Sequence, residues 1–169
     1  MAGFSDRSAI NPQCIEHLAK SIQCGVCEFP AHREEMEIMI QLADARRIIA
    51  AAEKKAEEIG QPMNVAVVDE GGNLIAFERM ANAWLGSIDI AQKKAWTSRA
   101  FDITTKDLGA NSQSGDQFFG IHASNNGKVM IFAGGIPLKK DGKVVGGIGV
   151  SGGSGEQDHA VAEAGASAL

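Results

Sequence analysis

The glycine-rich stretch of residues 132–158 constrains the fold of this chain more than any other part, because it holds nearly half of the 20 glycines. It predicts a strand, a tight turn, a second strand, a glycine-rich loop and the start of a helix. In the turn, Asp141 and Gly142 supply the positive φ angles that a short hairpin needs. The second strand, residues 144–150, carries three glycines. Because glycine weakens strand packing, these glycines indicate that another backbone or a ligand approaches closely.

The same stretch contains two short strings that are typical of enzyme sites. Residues 147–152 match the dinucleotide pattern G-x-G-x-x-G, but that fold needs a further parallel strand and an acidic residue about 20 positions on. Only one predicted helix follows here. Ser151 matches the G-x-S-x-G elbow of serine hydrolases, yet only Asp158 and His159 follow it, on a helix that has just begun. Both activities are therefore disfavoured.

Composition and charge narrow the class of protein. A chain of 169 residues with 44% hydrophobic content can bury one good core, so one main domain is expected. The net charge of −5 and the pI near 5.4 argue against nucleic acid and against an anionic membrane as partners. No apolar run is as long as a membrane span, and residues 1–10 lack a signal-like apolar segment. We therefore expect a cytoplasmic protein.

Hydrophobic periodicity and turn residues predict the element order α-α-β-β-α-α-β-β-β-α. The strongest helix spans residues 34–59, where apolar residues recur at alternating spacings of four and three. Residues 63–68 and 74–80 predict a hairpin, and residues 86–101 predict a helix with small residues along one stripe. A short helix at residues 104–108, a strand at residues 128–133, the glycine-rich hairpin and a last helix capped by Ser154 complete the order.

Residues 1–33 precede this pattern and predict a helical extension. This segment contains the spacing C-x2-H-x6-C-x2-C, formed by Cys14, His17, Cys24 and Cys27. The first two residues and the last two are each separated by two positions, as metal ligands often are. The six-residue gap is much shorter than the usual separation in zinc sites. A docking helix with buried cysteines explains the pattern more simply, so no metal site is predicted.

Three segments together carry a resemblance to a known family: residues 68–80 (VDEGGNLIAFERM), residues 91–97 (AQKKAWT) and the glycine-rich stretch. They resemble the GlcG/HbpS family of haem-degrading-type domains, which is related to the C-terminal domain of PduO-type proteins. The resemblance implies a profilin-like α+β domain with one antiparallel sheet of about five strands, flanked by helices on its faces. It also implies a homo-oligomer. We therefore expect a GlcG/HbpS-like domain at residues 34–169, preceded by the helical extension.

A ligand site is predicted where the ends of the strands meet the neighbouring helix. Arg79 extends from an apolar row on its strand, and Lys93 lies on the helix that follows by a short link. Two cations close together need an anion, and a guanidinium matches a carboxylate bidentately. The alternative is that both side chains are separately solvated at a rim. No catalytic residue is predicted; the predicted ligand-binding residues are Arg79, Lys93, Gly134, Gly135 and Pro137, with Asp158 and His159 at the mouth.

Two functions are open at this point. Because some members of the family bind haem, the resemblance suggests a haem-binding protein that degrades or sequesters haem. Tyrosine is absent, so a histidine or methionine would ligate the iron, and Arg79, Lys93 or Arg99 would pair with the propionates. The alternative is a protein or enzyme that binds a small carboxylate metabolite in a cationic pocket. A third hypothesis is that the protein is a subunit of an assembly and binds no ligand. The histidines available are His17, His32, His122 and His159.

Overall fold

A computed structural model of the protein describes residues 39–169. The predicted extension at residues 1–33, with its cysteines, lies outside the described residues, and so does the start of the helix predicted at residues 34–59. The division of the chain at residue 34 therefore stays a prediction. No helix in residues 39–169 is both long enough and apolar enough to span a membrane.

The described residues form an antiparallel sheet with helices on both faces. In chain order the elements are α1 (Leu42–Glu58), β1 (Asn64–Val68), β2 (Leu74–Arg79), α2 (Ser87–Phe101), α3 (Thr105–Ala110), β3 (Gly135–Lys140), β4 (Lys143–Ser151) and α4 (Gly155–Ala166). Two short 3-10 turns, Ile121–Ala123 and Asn125–Gly127, lie between α3 and β3. The strand order is β2-β1-β4-β3, and every neighbouring pair is antiparallel. The predicted α+β class is confirmed.

The sheet has four strands in residues 39–169, and the strand predicted at residues 128–133 is wrong. This segment bonds to helix α2 and not to a neighbouring strand. The N–H of Met130 donates to Oγ1 of Thr97 at 3.0 Å, and that hydroxyl donates to the carbonyl of Lys128 at 3.4 Å. Val129 is buried. The apolar pattern of the segment therefore reflects burial against a helix, which periodicity alone does not distinguish from a strand.

Helices α1 and α4 cover one face of the sheet and enclose the larger core. The seam predicted for α1 supplies Ala45, Ile49, Ala52 and Ala56, all of which are buried. Each Å² of apolar surface that folding removes from water there stabilises the folded state by roughly 25 cal/mol. Strands and α4 complete this core with Val65, Val67, Leu138, Val145, Ile148, Val150, Val161 and Ala162.

Helix α2 covers the other face and lies directly on backbone. Gly147 and Gly149 of β4 face it, and a Cβ atom on either would clash with the carbonyl of Ala95 or Ala91. The small residues Ala91 and Ala95 allow the same approach from the helix side. The prediction that the strand glycines mark a close backbone approach is confirmed.

We expect Gly149→Ala to destabilise the protein, because the new methyl group would meet the carbonyl of Ala91 and the backbone of Ala95. Overpacking of this kind typically costs about 1–3 kcal/mol. The matched control is Gly86→Ala, since a Cβ at Gly86 meets nothing within 4 Å. Denaturant unfolding measures both. A Gly149→Ala variant within about 0.5 kcal/mol of the control, the usual range for surface changes, would contradict this packing.

Candidate functional site

A buried ion pair between Lys94 and Asp158 lies at the end of β4. The side chain of Lys94 is 0% exposed and that of Asp158 is 3% exposed, and Nζ lies 2.6 Å from Oδ2. Lys94 Nζ also donates to the carbonyl of Val150 at 2.9 Å and lies 4.4 Å from the ring centroid of Phe132. The pair thus fixes α2 to both β4 and α4.

The other carboxylate oxygen of Asp158 completes the arrangement. Its Oδ1 accepts hydrogen bonds from the N–H groups of Gly152 at 3.0 Å and Gly153 at 2.9 Å. The sequence placed Asp158 at the mouth of a site, but the structure places it inside. The reason is that the first turn of α4 projects this side chain under the glycine loop. A carboxylate engaged in this way is not available to orient a histidine, which weakens the hydrolase reading of Ser151 further.

Burial lowers the pKa of Lys94, and the charge and hydrogen bond of Asp158 oppose that shift. An amine with a depressed pKa is a candidate for proton transfer when it faces a cavity. Lys94 lines neither the groove along α4 nor the cavity beside α2 that are described below. We therefore assign the pair to holding the fold.

A groove runs along α4, between this helix, α3 and β3, and we call it the His159 groove. It consists of two adjacent cavities of about 280 and 540 Å³, and His159 and Glu163 line both. The other lining residues are Lys106, Ala133, Gly155, Glu156 and Ala160 on one side and Thr104, Ile136, Pro137, Lys139, Ala166 and Ser167 on the other.

The imidazole of His159 is only weakly engaged. Its Nε2 lies 3.4 Å from Oε1 of Glu163, one helical turn later, and its side chain is 16% exposed. Its Nδ1 is buried and has no hydrogen-bond partner among the residues that the structure describes. A buried polar atom without a partner is costly. Because Nδ1 is itself shielded from the groove, a ligand there would reach it only after the ring turns.

A separate cavity of about 430 Å³ lies beside α2, and we call it the Lys93 cavity. Lys93 pairs with Asp89 at 2.8 Å, and Lys128 Nζ stands 4.2 Å from a ring centroid of Trp96. The lining residues are Val68, Gly72, Leu74, Asp89, Gln92, Lys93, Trp96, Asn125, Asn126 and Lys128.

The structure distributes the predicted site residues over several places. Pro137 and His159 line the same cavity of the His159 groove. Lys93 lines its own cavity beside α2. Arg79 donates two hydrogen bonds to the carbonyl of Ala83, at 3.1 and 2.6 Å. It lines neither the His159 groove nor the Lys93 cavity.

The two glycines before Ile136 are buried behind the groove. The N–H of Gly135 donates to Oγ1 of Thr105 at 2.8 Å, and the carbonyl of Gly134 accepts from the N–H of Val150 at 2.8 Å. Gly134 has φ +118, and a Cβ atom there would lie 2.8 Å from Nζ of Lys94. These N–H and C=O groups bond within the fold, and neither glycine lines the His159 groove or the Lys93 cavity.

Sequence reasoning missed the roles of Lys94 and Lys128. A signal for Lys94 was present, because it lies three residues after Ala91 and four before Ser98, on the small-residue stripe of α2 that faces the sheet. Lys128 carried no such signal, since only the tertiary fold brings its segment against Trp96.

Residues 40–167 match the family described as "Haem degrading protein HbpS-like". The chain belongs to the HbpS-like family. An uncharacterized 15.0 kDa protein from the dhaT-dhaS intergenic region of Citrobacter freundii is 40% identical over 124 residues, covering 73% of this chain and 87% of that protein. The chain is also 36% identical in sequence to the protein in a solved structure of a PduOC:haem complex. The match covers 78% of this chain and 96% of the chain in that complex, and the two structures superpose with a TM-score of 0.75.

A longer relative matches over the whole chain. The corrinoid adenosyltransferase PduO of Salmonella typhimurium is 32% identical over 169 residues, which cover 100% of this chain and 50% of that protein. The chain therefore spans half the length of this relative. The activity in the relative's name belongs to the whole protein and is not carried over to this chain.

We expect Asp158→Asn to destabilise the protein strongly, because it leaves the buried ammonium of Lys94 without a counter-ion. Removing one partner of a buried ion pair typically costs about 3–5 kcal/mol. The double variant Lys94→Met/Asp158→Asn should recover part of this loss in denaturant unfolding, since no buried charge remains.

The control for that experiment is Lys55→Gln, which breaks an exposed pair with Glu58. It should change the free energy of unfolding by less than about 1 kcal/mol. An Asp158→Asn variant as stable as this control would show that the buried pair does not hold the fold.

Proposed function

We propose that this protein binds haem and that the His159 groove holds it. The observation that carries the proposal is the imidazole of His159, which stands between two cavities with a nitrogen that has no hydrogen-bond partner among residues 39–169. Support also comes from the family to which the chain belongs and from the relative of known structure that holds haem.

The residues of the groove fit the three requirements of a haem site. His159 would be the axial ligand, since an imidazole nitrogen is the commonest protein ligand of haem iron. Ile136 and Pro137 would contact the macrocycle as an apolar wall. Lys106 and Lys139, which are exposed at opposite ends of the groove, would pair with the propionates.

Glu163 would act as the positioning residue for the ligand. A carboxylate beside an imidazole fixes the tautomer and the orientation of the ring, and it raises the basicity of the nitrogen that binds metal. At 3.4 Å its contact with Nε2 is long for a hydrogen bond, so it holds the ring only weakly, and the ring would have to turn to bring the buried Nδ1 to the iron. Haem, when bound, would supply redox chemistry and a coordination position for small molecules.

The test is a titration of hemin into the protein, followed by the Soret band. We expect a shifted band at a stoichiometric end point for the unchanged protein, and a weaker complex with an altered spectrum for His159→Ala. Loss of a residue that only orients a metal ligand costs roughly 10–100-fold in affinity, so loss of the ligand itself should cost at least as much.

The matched control is His122→Ala, because His122 is exposed in the 3-10 turn Ile121–Ala123 and lines neither part of the groove. It should bind hemin as the unchanged protein does. An unaltered spectrum and affinity in His159→Ala would overturn the site, and no Soret shift in the unchanged protein would overturn haem binding itself. Incubation of the complex with ascorbate in air then separates sequestration, in which the band persists, from degradation, in which it disappears.

We also propose that the chain forms a homo-oligomer. Large apolar side chains are exposed on the surface, with Trp84 62%, Leu85 70% and Phe119 66% accessible. Apolar surface of this kind is favoured at interfaces between protein chains. We expect light scattering to give a multiple of 17.8 kDa, and Leu85→Asp to lower the mass. A monomer would contradict the proposal.

A further inference from the structure

We propose that the Lys93 cavity is a second binding site, which takes a small organic anion with one or two carboxylates. This cavity and the His159 groove have no lining residue in common. The cavity lies between α2, the β1–β2 end of the sheet and the Asn125–Gly127 turn, whereas the groove lies along α4. The inference therefore does not depend on haem binding.

Lys128 provides the first cation. Its ammonium is held 4.2 Å from a ring centroid of Trp96, where the π face of the indole attracts a cation. Within residues 39–169 no carboxylate lies at ion-pair distance from Lys128. The charge is therefore positioned by the ring but not neutralised, which is what a site for an anion requires.

Lys93 provides the second cation, and its present partner can be replaced. The ion pair with Asp89 is formed within one turn of α2, and the side chain of Asp89 is 69% exposed while that of Lys93 is 29% exposed. Exposed pairs of this type are worth little, because water and salt screen them. A ligand carboxylate inside the cavity would compete for Lys93 from a more enclosed position.

The remaining lining suits an organic acid more than a bare inorganic anion. Gln92, Asn125 and Asn126 bring side-chain amides, which can donate to ligand oxygens. Val68 and Leu74 add apolar surface that a carbon skeleton can cover. A cavity of about 430 Å³ falls in the range of small-molecule sites, roughly 300–1,000 Å³.

The fluorescence of Trp96 offers a direct test. The chain has two tryptophans, and Trp84 is 62% exposed in the loop before α2, so Trp84→Phe leaves Trp96 as the sole reporter. Succinate, benzoate and inorganic phosphate are titrated into this variant, and calorimetry with the unchanged protein repeats the measurement without any substitution. We expect succinate or benzoate to change the emission saturably, with an affinity that falls as salt is added.

The charge variants then assign the site. Lys93→Met and Lys128→Met, each in the Trp84→Phe background, should weaken carboxylate binding about tenfold or more, as expected for loss of a charge-assisted contact. Lys54→Met is the matched control, because Lys54 is exposed on α1 and lines neither the Lys93 cavity nor the His159 groove, yet its loss changes the net charge equally.

Each outcome decides the proposal. Selective loss in the two cavity variants supports it. Equal loss in Lys54→Met, unchanged affinity in both cavity variants, binding of phosphate alone, or no binding at millimolar concentrations would overturn it. Hemin is also titrated into Lys128→Met. Weakened hemin binding there would show that the cavity belongs to a haem site and would overturn a separate anion site, whereas His159→Ala tests the haem proposal independently.

Discussion

The direct contact between helix α2 and strand β4 is the constraint on which the rest of the structure depends. Gly147 and Gly149 leave no side chain between the helix and the strand, so carbonyl groups of α2 lie against the sheet. A helix this close leaves no room for water beneath its inner face. Lys94 lies on that face and is fully enclosed, and a buried ammonium is tolerable only with a counter-ion and hydrogen-bond acceptors.

Asp158 meets this requirement and thereby anchors the first turn of α4. Its carboxylate binds Lys94 and the N–H groups of the loop residues Gly152 and Gly153. Successive residues of a helix are rotated by about 100°. With Asp158 directed inward, the next residue, His159, is turned toward the groove between α4, α3 and β3. The ion pair therefore positions the proposed haem ligand without contacting the site itself.

The two candidate sites differ in the chemistry of their polar groups. The His159 groove combines one imidazole with a neighbouring carboxylate and apolar walls, which favours a metal-centred ligand with a large flat surface. The Lys93 cavity combines amides with two ammonium groups, of which one is paired with Asp89 and the other has no carboxylate partner in residues 39–169, and this would favour an anion. The sheet and its helices hold the two proposed sites apart, and the sites have no lining residue in common.

The sequence by itself determined most of the local elements, and its resemblance to a known family indicated the class of fold. The apolar seam of α1, the Asp141-Gly142 turn and the cap at Ser154, whose hydroxyl accepts from the N–H of Gln157, depend on short-range geometry and were predicted correctly. Only the tertiary structure decided that residues 128–133 bond to α2 and that Lys94 is buried while Lys93 borders a cavity. Adjacent lysines have the same composition and propensity, and their difference arises from the distance between α2 and the sheet, which is set by residues more than 50 positions away in the chain.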